Sequence, residues 1–186
     1  MSQFVMSIII ANSHEAQAHI GDTEEKEKQP SKLPFDVSWD ELKDLKYLTS
    51  GGSSNICKAV FRGEPVIIKL LKPELTDDEI LKNDMESEIQ ILSKLDHPHI
   101  VKIHGAGYNS KQQRFIILEQ LNGGTLEKIF DGNSKNITRS KSLPLKDVIS
   151  NALAIARAMR YFHSALDGYA ILHRDLKPDN IGRFQK

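Results

Sequence analysis

Between Pro65 and Leu71 the chain reads PVIIKLL, a run apolar enough for a strand covered on both faces, with one ammonium group in its middle. A lysine in such a strand needs a carboxylate or a route for its head to water, because an unpaired buried charge costs several kcal/mol. The acid is sought in the next stretch, TDDEILKNDMESEIQILSKL, which carries an acidic first turn and helical apolar spacing. At about 100° per residue, Leu81, Met85, Glu88, Leu92 and Leu95 share a narrow arc, so Glu88 points where the apolar residues point, while Glu79 and Glu86 point away. One Lys69–Glu88 pair explains two isolated charges more economically than two separate burials. An ordinary structural salt bridge, or two snorkelling side chains, fits the same pattern.

The surrounding elements follow from alternation and turn chemistry. DLKYL, NICKAVF and PVIIKLL are separated by Ser50-Gly51-Gly52-Ser53-Ser54 and Arg62-Gly63-Glu64, which predicts a three-stranded antiparallel meander. Thr76 or Asp77 is the expected N-cap of the helix after it. Strands are expected in IVKIHGAGY and RFIILEQL, then a short helix in TLEKIF, a polar loop DGNSKNITRSKSLP and a long helix from about Leu145 to Ser164. Val148, Ala152, Ile155, Met159 and Phe162 form the predicted buried stripe of that helix. Residues 1–35 are charged, polar and punctuated by Pro30 and Pro34, and read as a flexible tail or linker. Within them the apolar run Val5–Ala11 is too short to span a bilayer. The fold class is α+β, with a tail over 1–35, an antiparallel sheet with one flanking helix over 36–121, and the start of a helical region over 122–186.

Charge narrows the partners. Twenty-five basic residues balance 25 acidic ones in the 186-residue chain, so no global field draws it to nucleic acid or to an anionic membrane, and neither is an expected partner. The single cysteine, Cys57, rules out an internal disulfide framework and a Cys-based zinc cluster. The expected location is intracellular, cytoplasmic with the nucleus also open.

Chemistry concentrates near the C-terminus, in His173-Arg174-Asp175-Leu176-Lys177-Pro178-Asp179-Asn180. Phosphoryl transfer needs an acceptor for a hydroxyl proton, a positive charge near the transferring phosphate and an oxygen ligand for Mg²⁺; Asp175, Lys177 and Asn180 are residue types that supply those roles. The turn SGGSSN offers backbone N–H groups without bulky side chains, suited to covering a polyphosphate, yet it also reads as a plain hairpin.

With these motifs together, the sequence resembles the eukaryotic-type serine/threonine protein kinases over roughly residues 42–186. The resemblance implies a kinase-like N-lobe of antiparallel sheet plus helix, followed by only the beginning of the helical C-lobe, with ATP and Mg²⁺ as cofactors and an unspecified protein as substrate. It makes Lys69, in Val66-Ile67-Ile68-Lys69, the holder of the α- and β-phosphates and Glu88 its helix partner. Asp175 becomes the catalytic base, Lys177 the contact to the γ-phosphate and Asn180 a Mg²⁺ ligand. Leu118 stands at the gatekeeper position, with the backbones of Glu119 and Leu121 facing adenine. Thr49, Gly51, Ser54 and Ile56 belong to the phosphate-covering hairpin, and Lys177 in Leu-Lys-Pro-Asp-Asn is the serine/threonine form of the loop. His173 is expected to be a packed imidazole.

Three departures carry expectations of their own. Thr49 and Ser54 stand where the first and third glycines of the Gly-rich pattern belong, so phosphate contact is expected to be looser. Ile67 replaces the small residue that roofs adenine, and Gly182 replaces a bulky floor; a compensating shift of bulk from below the base to above it is the expected reason. No Asp-Phe-Gly occurs in the 186 residues, which leads to the expectation of a kinase fragment ending just after the catalytic loop, with little or no turnover as it stands. The alternatives are a catalytically inactive module binding nucleotide or a partner, and a small-molecule phosphotransferase, which Lys177-Pro178 disfavours. Substrate and oligomeric state are not legible.

Overall fold

In a computed structural model of the chain, the structure describes residues 3–6, 36–130, 143–166, 168 and 170–184. In chain order the elements are β1 (Gln3–Met6), β2 (Leu42–Ser50), β3 (Ser54–Phe61), β4 (Glu64–Leu71), α1 (Glu79–Leu92), β5 (Ile103–Tyr108), β6 (Arg114–Glu119), α2 (Leu126–Phe130), α3 (Leu145–Phe162) and β7 (Ile181–Phe184). Short 3₁₀ turns occupy Trp39–Glu41, Pro73–Leu75 and Pro178–Asn180. The described residues group into two compact units, one of 36–90 with Ile103–Glu119, the other of 3–6, Ile91–Lys102 and the residues from Gln120 onward.

The first unit is a five-stranded antiparallel sheet in the order β2-β3-β4-β6-β5. The expected meander is its first three strands, and β6 adds beside β4. Arg62 and Gly63 both take positive φ, 50° and 87°, between partners Phe61 and Glu64, the backbone of a two-residue hairpin whose twist matches that of the strands. Ile56, Lys69 and Ile116 are opposite one another across β3, β4 and β6. Because side chains alternate, Ile67, Lys69 and Leu71 share one face of β4 and Val66 and Ile68 the other.

That second face carries the main core, where Cys57, Ala59, Phe61, Val66, Ile68, Phe115 and Ile117 are buried together with Val37, and Trp39 packs against them. The Trp39 ring meets Phe115 edge-on with centroids 5.1 Å apart. The Val37 N–H donates to the carbonyl of Ala106 at 2.8 Å, drawing the entering segment tightly across β5. A Cβ on Gly107 would lie 2.2 Å from the Val37 carbonyl oxygen, so only glycine permits the crossing.

The helix α1 begins one or two residues later than expected. Asp78 caps it, its Oδ1 accepting from the N–H groups of Ile80 and Leu81 at 3.0 and 3.1 Å. Thr76 instead closes the preceding turn, its backbone in the helical region as the C-cap of Pro73–Leu75 and its hydroxyl donating to the Pro73 carbonyl.

In the second unit, β7 pairs with β1 from Gln3 opposite Phe184 to Met6 opposite Ile181. On its other side β7 meets the 123–125 turn: the Gly123 N–H donates to Arg183 O at 2.7 Å and the Arg183 N–H to Gly124 O at 3.0 Å. Four residues of the supposed tail are therefore a strand; the remainder, 1–2 and 7–35, lies outside the described residues, as does 131–142 of the polar loop. A four-residue strand is specified by its partner, and that partner stands at the other end of the sequence. Residues Ile91–Lys102, assigned with the sheet from sequence, group with this unit, where the Asp96 N–H donates to the Tyr161 hydroxyl at 3.1 Å and His97 stacks on the Tyr161 ring.

The long helix is present as α3 but turned from its predicted stripe. Asn151, Ala154, Ala158 and Phe162 are the buried residues, an arc displaced by roughly 75° from the one expected. Val148 and Ala152 are exposed, as are Leu145, Ile149 and Leu153. Apolar periodicity counts hydrophobic residues, whereas close approach favours small ones, and Ala154 and Ala158 lie on the packed side.

Gly107→Ala is expected to lower stability by about 3 kcal/mol in a denaturant melt, since backbone stands in the way of the new methyl group. Gly52→Ala, where a Cβ would meet nothing within 4 Å, is expected to stay within about 0.5 kcal/mol of the parent chain.

Candidate functional site

Lys69 and Glu88 meet as the sequence pattern requires. The Lys69 ammonium donates to Glu88 Oε2 in an ion pair, with the lysine side chain 16% and the glutamate side chain 5% exposed. Lys69 reaches out from the middle of β4 and Glu88 from the face of α1 that also buries Met85 and Ile89. Burial pushes the Glu88 carboxyl above the usual carboxylate range, and the Lys69 ammonium opposes that shift. Around the pair, Ile56 stands opposite Lys69, and Ile67 stands opposite Leu118 on the same face of the sheet. Leu118 is buried and Glu119 half-buried at the end of β6.

Thr49 and Ser54 flank the glycine-containing hairpin. Thr49 is exposed and paired with Ile56; Ser54 is buried, its carbonyl accepting from the Gly51 N–H at 2.8 Å. Neither Gly51 nor Gly52 has positive φ, and a Cβ on Gly51 would make only an ordinary 3.5 Å contact. The fold itself does not call for glycine there.

In the second unit the 173–180 loop organises its own polar groups. His173 is buried, its ring beside Phe162, and the Ile171 N–H donates to Phe162 O, which ties the loop to the end of α3. Arg174 has φ 58°, and the Asp175 N–H donates back to His173 O at 2.7 Å, a tight γ-turn of the strained kind. That turn presents the Asp175 carboxylate, whose Oδ2 accepts from Lys177 Nζ at 2.9 Å and from Asn180 Nδ2 at 3.0 Å. The Lys177 and Asn180 hydrogen bonds hold the Asp175 carboxyl below the usual range, which keeps it ionised at neutral pH. Asn180 Nδ2 also donates to Asp175 O at 2.7 Å, committing the amide nitrogen and turning its carbonyl oxygen away, the atom through which an amide can ligate a cation.

No group of three or more His, Cys, Asp or Glu side chains among the described residues forms a metal cage. The Asn180 amide oxygen is a donor type suited to Mg²⁺ that brings phosphate oxygens and waters with it.

Gly182 and Leu121 are brought together. A Cβ on Gly182 would sit 2.1 Å from Leu121 Cδ1, so the leucine side chain takes the volume that a residue at 182 would fill. The predicted residues fall into two sets, Thr49, Gly51, Ser54, Ile56, Ile67, Lys69, Glu88, Leu118 and Glu119 in the sheet unit, and Leu121, Asp175, Lys177, Asn180 and Gly182 in the other.

Sequence reasoning missed Arg114 and Glu86. Arg114 is 4% exposed, and its Nη2 donates to Glu86 Oε2 at 3.0 Å. Glu86 was read as pointing away from the core; the available signal was Arg114 itself, a cation at the start of the apolar strand RFIILE.

Residues 42–182 match the family model described as the protein kinase domain. Among similar proteins, the serine/threonine-protein kinase VIK of Arabidopsis thaliana is 32% identical over 158 residues, spanning 82% of this chain and 34% of that protein. Mitogen-activated protein kinase kinase kinase 10 of Mus musculus is 30% identical over 151 residues, 80% of this chain and 15% of that protein. The chain thus spans about a third or less of the length of these relatives. The M. tuberculosis PknI kinase domain shares the fold, with a TM-score of 0.57 at 22% identity over 80% of this chain and 56% of that one.

Glu88→Ala is expected to lower stability by about 3 kcal/mol by stranding the Lys69 ammonium, while Lys69→Met with Glu88→Leu stays within about 1 kcal/mol of the parent chain; denaturant melts read both. For Asp175 the lowered value means that the carboxylate's favourable contacts are present above the unfolded-state pKa and are lost as pH falls through the folded one. Lys177→Met is expected to move the Asp175 titration upward, toward the ordinary aspartate range, as followed by carboxyl ¹³C NMR.

Proposed function

We propose, because the chain belongs to the eukaryotic-type serine/threonine protein kinase family, that it binds ATP with Mg²⁺ and serves transfer of the γ-phosphoryl group to serine or threonine hydroxyls of a protein substrate. The observation that carries this reading is the Lys69–Glu88 ion pair, since a well-packed apolar pair would be at least as stable in the same place. In this reading the pair directs the Lys69 ammonium to the α- and β-phosphates. The glycines at 51 and 52, which the fold does not require, keep side chains off the hairpin backbone so that phosphates can approach it closely. Ile56, Ile67 and Leu118 line the adenine, and the backbones of Glu119 and Leu121 hydrogen-bond it.

Asp175, ionised and aimed by its γ-turn, accepts the proton of the attacking hydroxyl, and Lys177 contacts the γ-phosphate. The Asn180 carbonyl oxygen would hold Mg²⁺, and the ion would supply neutralisation of phosphate charge. Lys177-Pro178 supports a protein substrate, as does the likeness to VIK, a serine/threonine-protein kinase.

Titration of the 186-residue protein with a fluorescent ATP analogue and Mg²⁺ tests the binding half. Lys69→Met is expected to weaken affinity by about tenfold or more, and unchanged affinity would sink the reading. In the longest natural chain that carries this sequence, Asp175→Asn is expected to leave nucleotide affinity in place and to lower phosphorylation of serine and threonine peptides by at least about 100-fold.

A further inference from the structure

The ion pair of Lys69 has a neighbour that the kinase reading does not use. Arg114, at the start of β6, presents two nitrogens to Glu86 of α1: Nη2 donates to Oε2 at 3.0 Å and Nε lies 2.6 Å from Oε1. The Tyr108 ring covers the guanidinium, 4.6 Å from centroid to Cζ, and the Tyr108 hydroxyl donates to Glu86 Oε1 at 3.3 Å. Burial and the adjacent Glu86 carboxylate raise the Tyr108 pKa, which keeps that hydroxyl a donor. Arg114 is opposite Tyr108 in the ladder and two residues from Ile116, which is opposite Lys69. Lys69, Arg114 and Tyr108 therefore share one face of the sheet, the face to which α1 sends the carboxylates of Glu86 and Glu88.

Glu86 and Glu88 stand roughly 200° apart around the helix axis and reach cations on two different strands. An apolar contact through Met85 and Ile89 is non-directional, and methionine adapts to many packings, so it resists rolling of the helix weakly. A carboxylate about 5 to 6 Å from the axis moves about 3 Å when the helix rolls by about 30°, enough to break a hydrogen bond. With contacts on both flanks, a roll that frees Glu88 must also break the Arg114–Glu86 pair. Arginine suits the second point because its fork offers two donors at once and its plane stacks on tyrosine.

We propose that Arg114, covered by Tyr108 and paired with Glu86, is a positioning residue that pins the rotation of α1 so that Glu88 stays on Lys69. Its consequence for nucleotide affinity rests on the kinase reading; its effect on the Lys69–Glu88 pair does not.

The test uses the 186-residue protein with ¹⁵N-labelled lysine and two variants, Arg114→Met and Glu86→Gln. Hydrogen exchange of the Lys69 ammonium reports the pair without nucleotide, and MgATP-analogue affinity reports the consequence. Both variants are expected to speed ammonium exchange by about tenfold and to weaken affinity by about five- to tenfold, with Arg114→Lys recovering part of each. Glu86, with its side chain 32% exposed, tolerates the isosteric amide and carries the test if Arg114→Met does not fold. Unchanged ammonium exchange in folded variants overturns the proposal, whatever happens to stability. Faster exchange in a protein that binds no nucleotide supports the clamp and rejects the kinase reading.

Discussion

One ion pair joins the sheet of this chain to its first helix. Lys69 and Glu88 are 19 residues apart in sequence, on elements of different periodicity, and meet where little water reaches. Removing two charges from water is costly, and the attraction between them does little more than repay that cost. The pair is therefore weak as an argument for stability and strong as one for orientation. Apolar packing allows α1 many rotations on the sheet, whereas a salt bridge allows few.

The pair does not stand alone. The Arg114–Glu86–Tyr108 cluster repeats the device on the neighbouring strand β6, again with a cation from the sheet and an acid from α1. Two such contacts on separate flanks of one helix define its angle as well as its distance. The opposite face of the sheet needs no comparable device, because Phe61, Phe115, Ile117 and Trp39 interlock by shape.

The 173–180 loop rests on different physics. The hydrogen bonds of its Asp175 run between residues at most five apart, to Lys177, to Asn180 and back to His173. Short range makes such a constellation nearly self-assembling once His173 is buried against Phe162 and Arg174 accepts its left-handed backbone. Its electrostatics are correspondingly local, with the Asp175 carboxylate held ionised by neighbours from the same turn.

The amino-acid order alone determined what local rules can reach: the meander, the amphipathic helix, the pairing of Lys69 with Glu88, and a catalytic-type loop whose residues are neighbours in sequence. It located the cap of α1 only to within two residues, since Thr76, Asp77 and Asp78 all suit the role and the Pro73 turn chooses among them. Tertiary structure decided what depends on a distant partner or on shape. It made Gln3–Met6 a strand against Ile181–Phe184, turned α3 onto Ala154 and Ala158 instead of its more apolar stripe, seated Leu121 over Gly182 and set Arg114 against Glu86. Periodicity records where apolar side chains point along one element; which face is finally used depends on the volumes and charges that other elements bring to it.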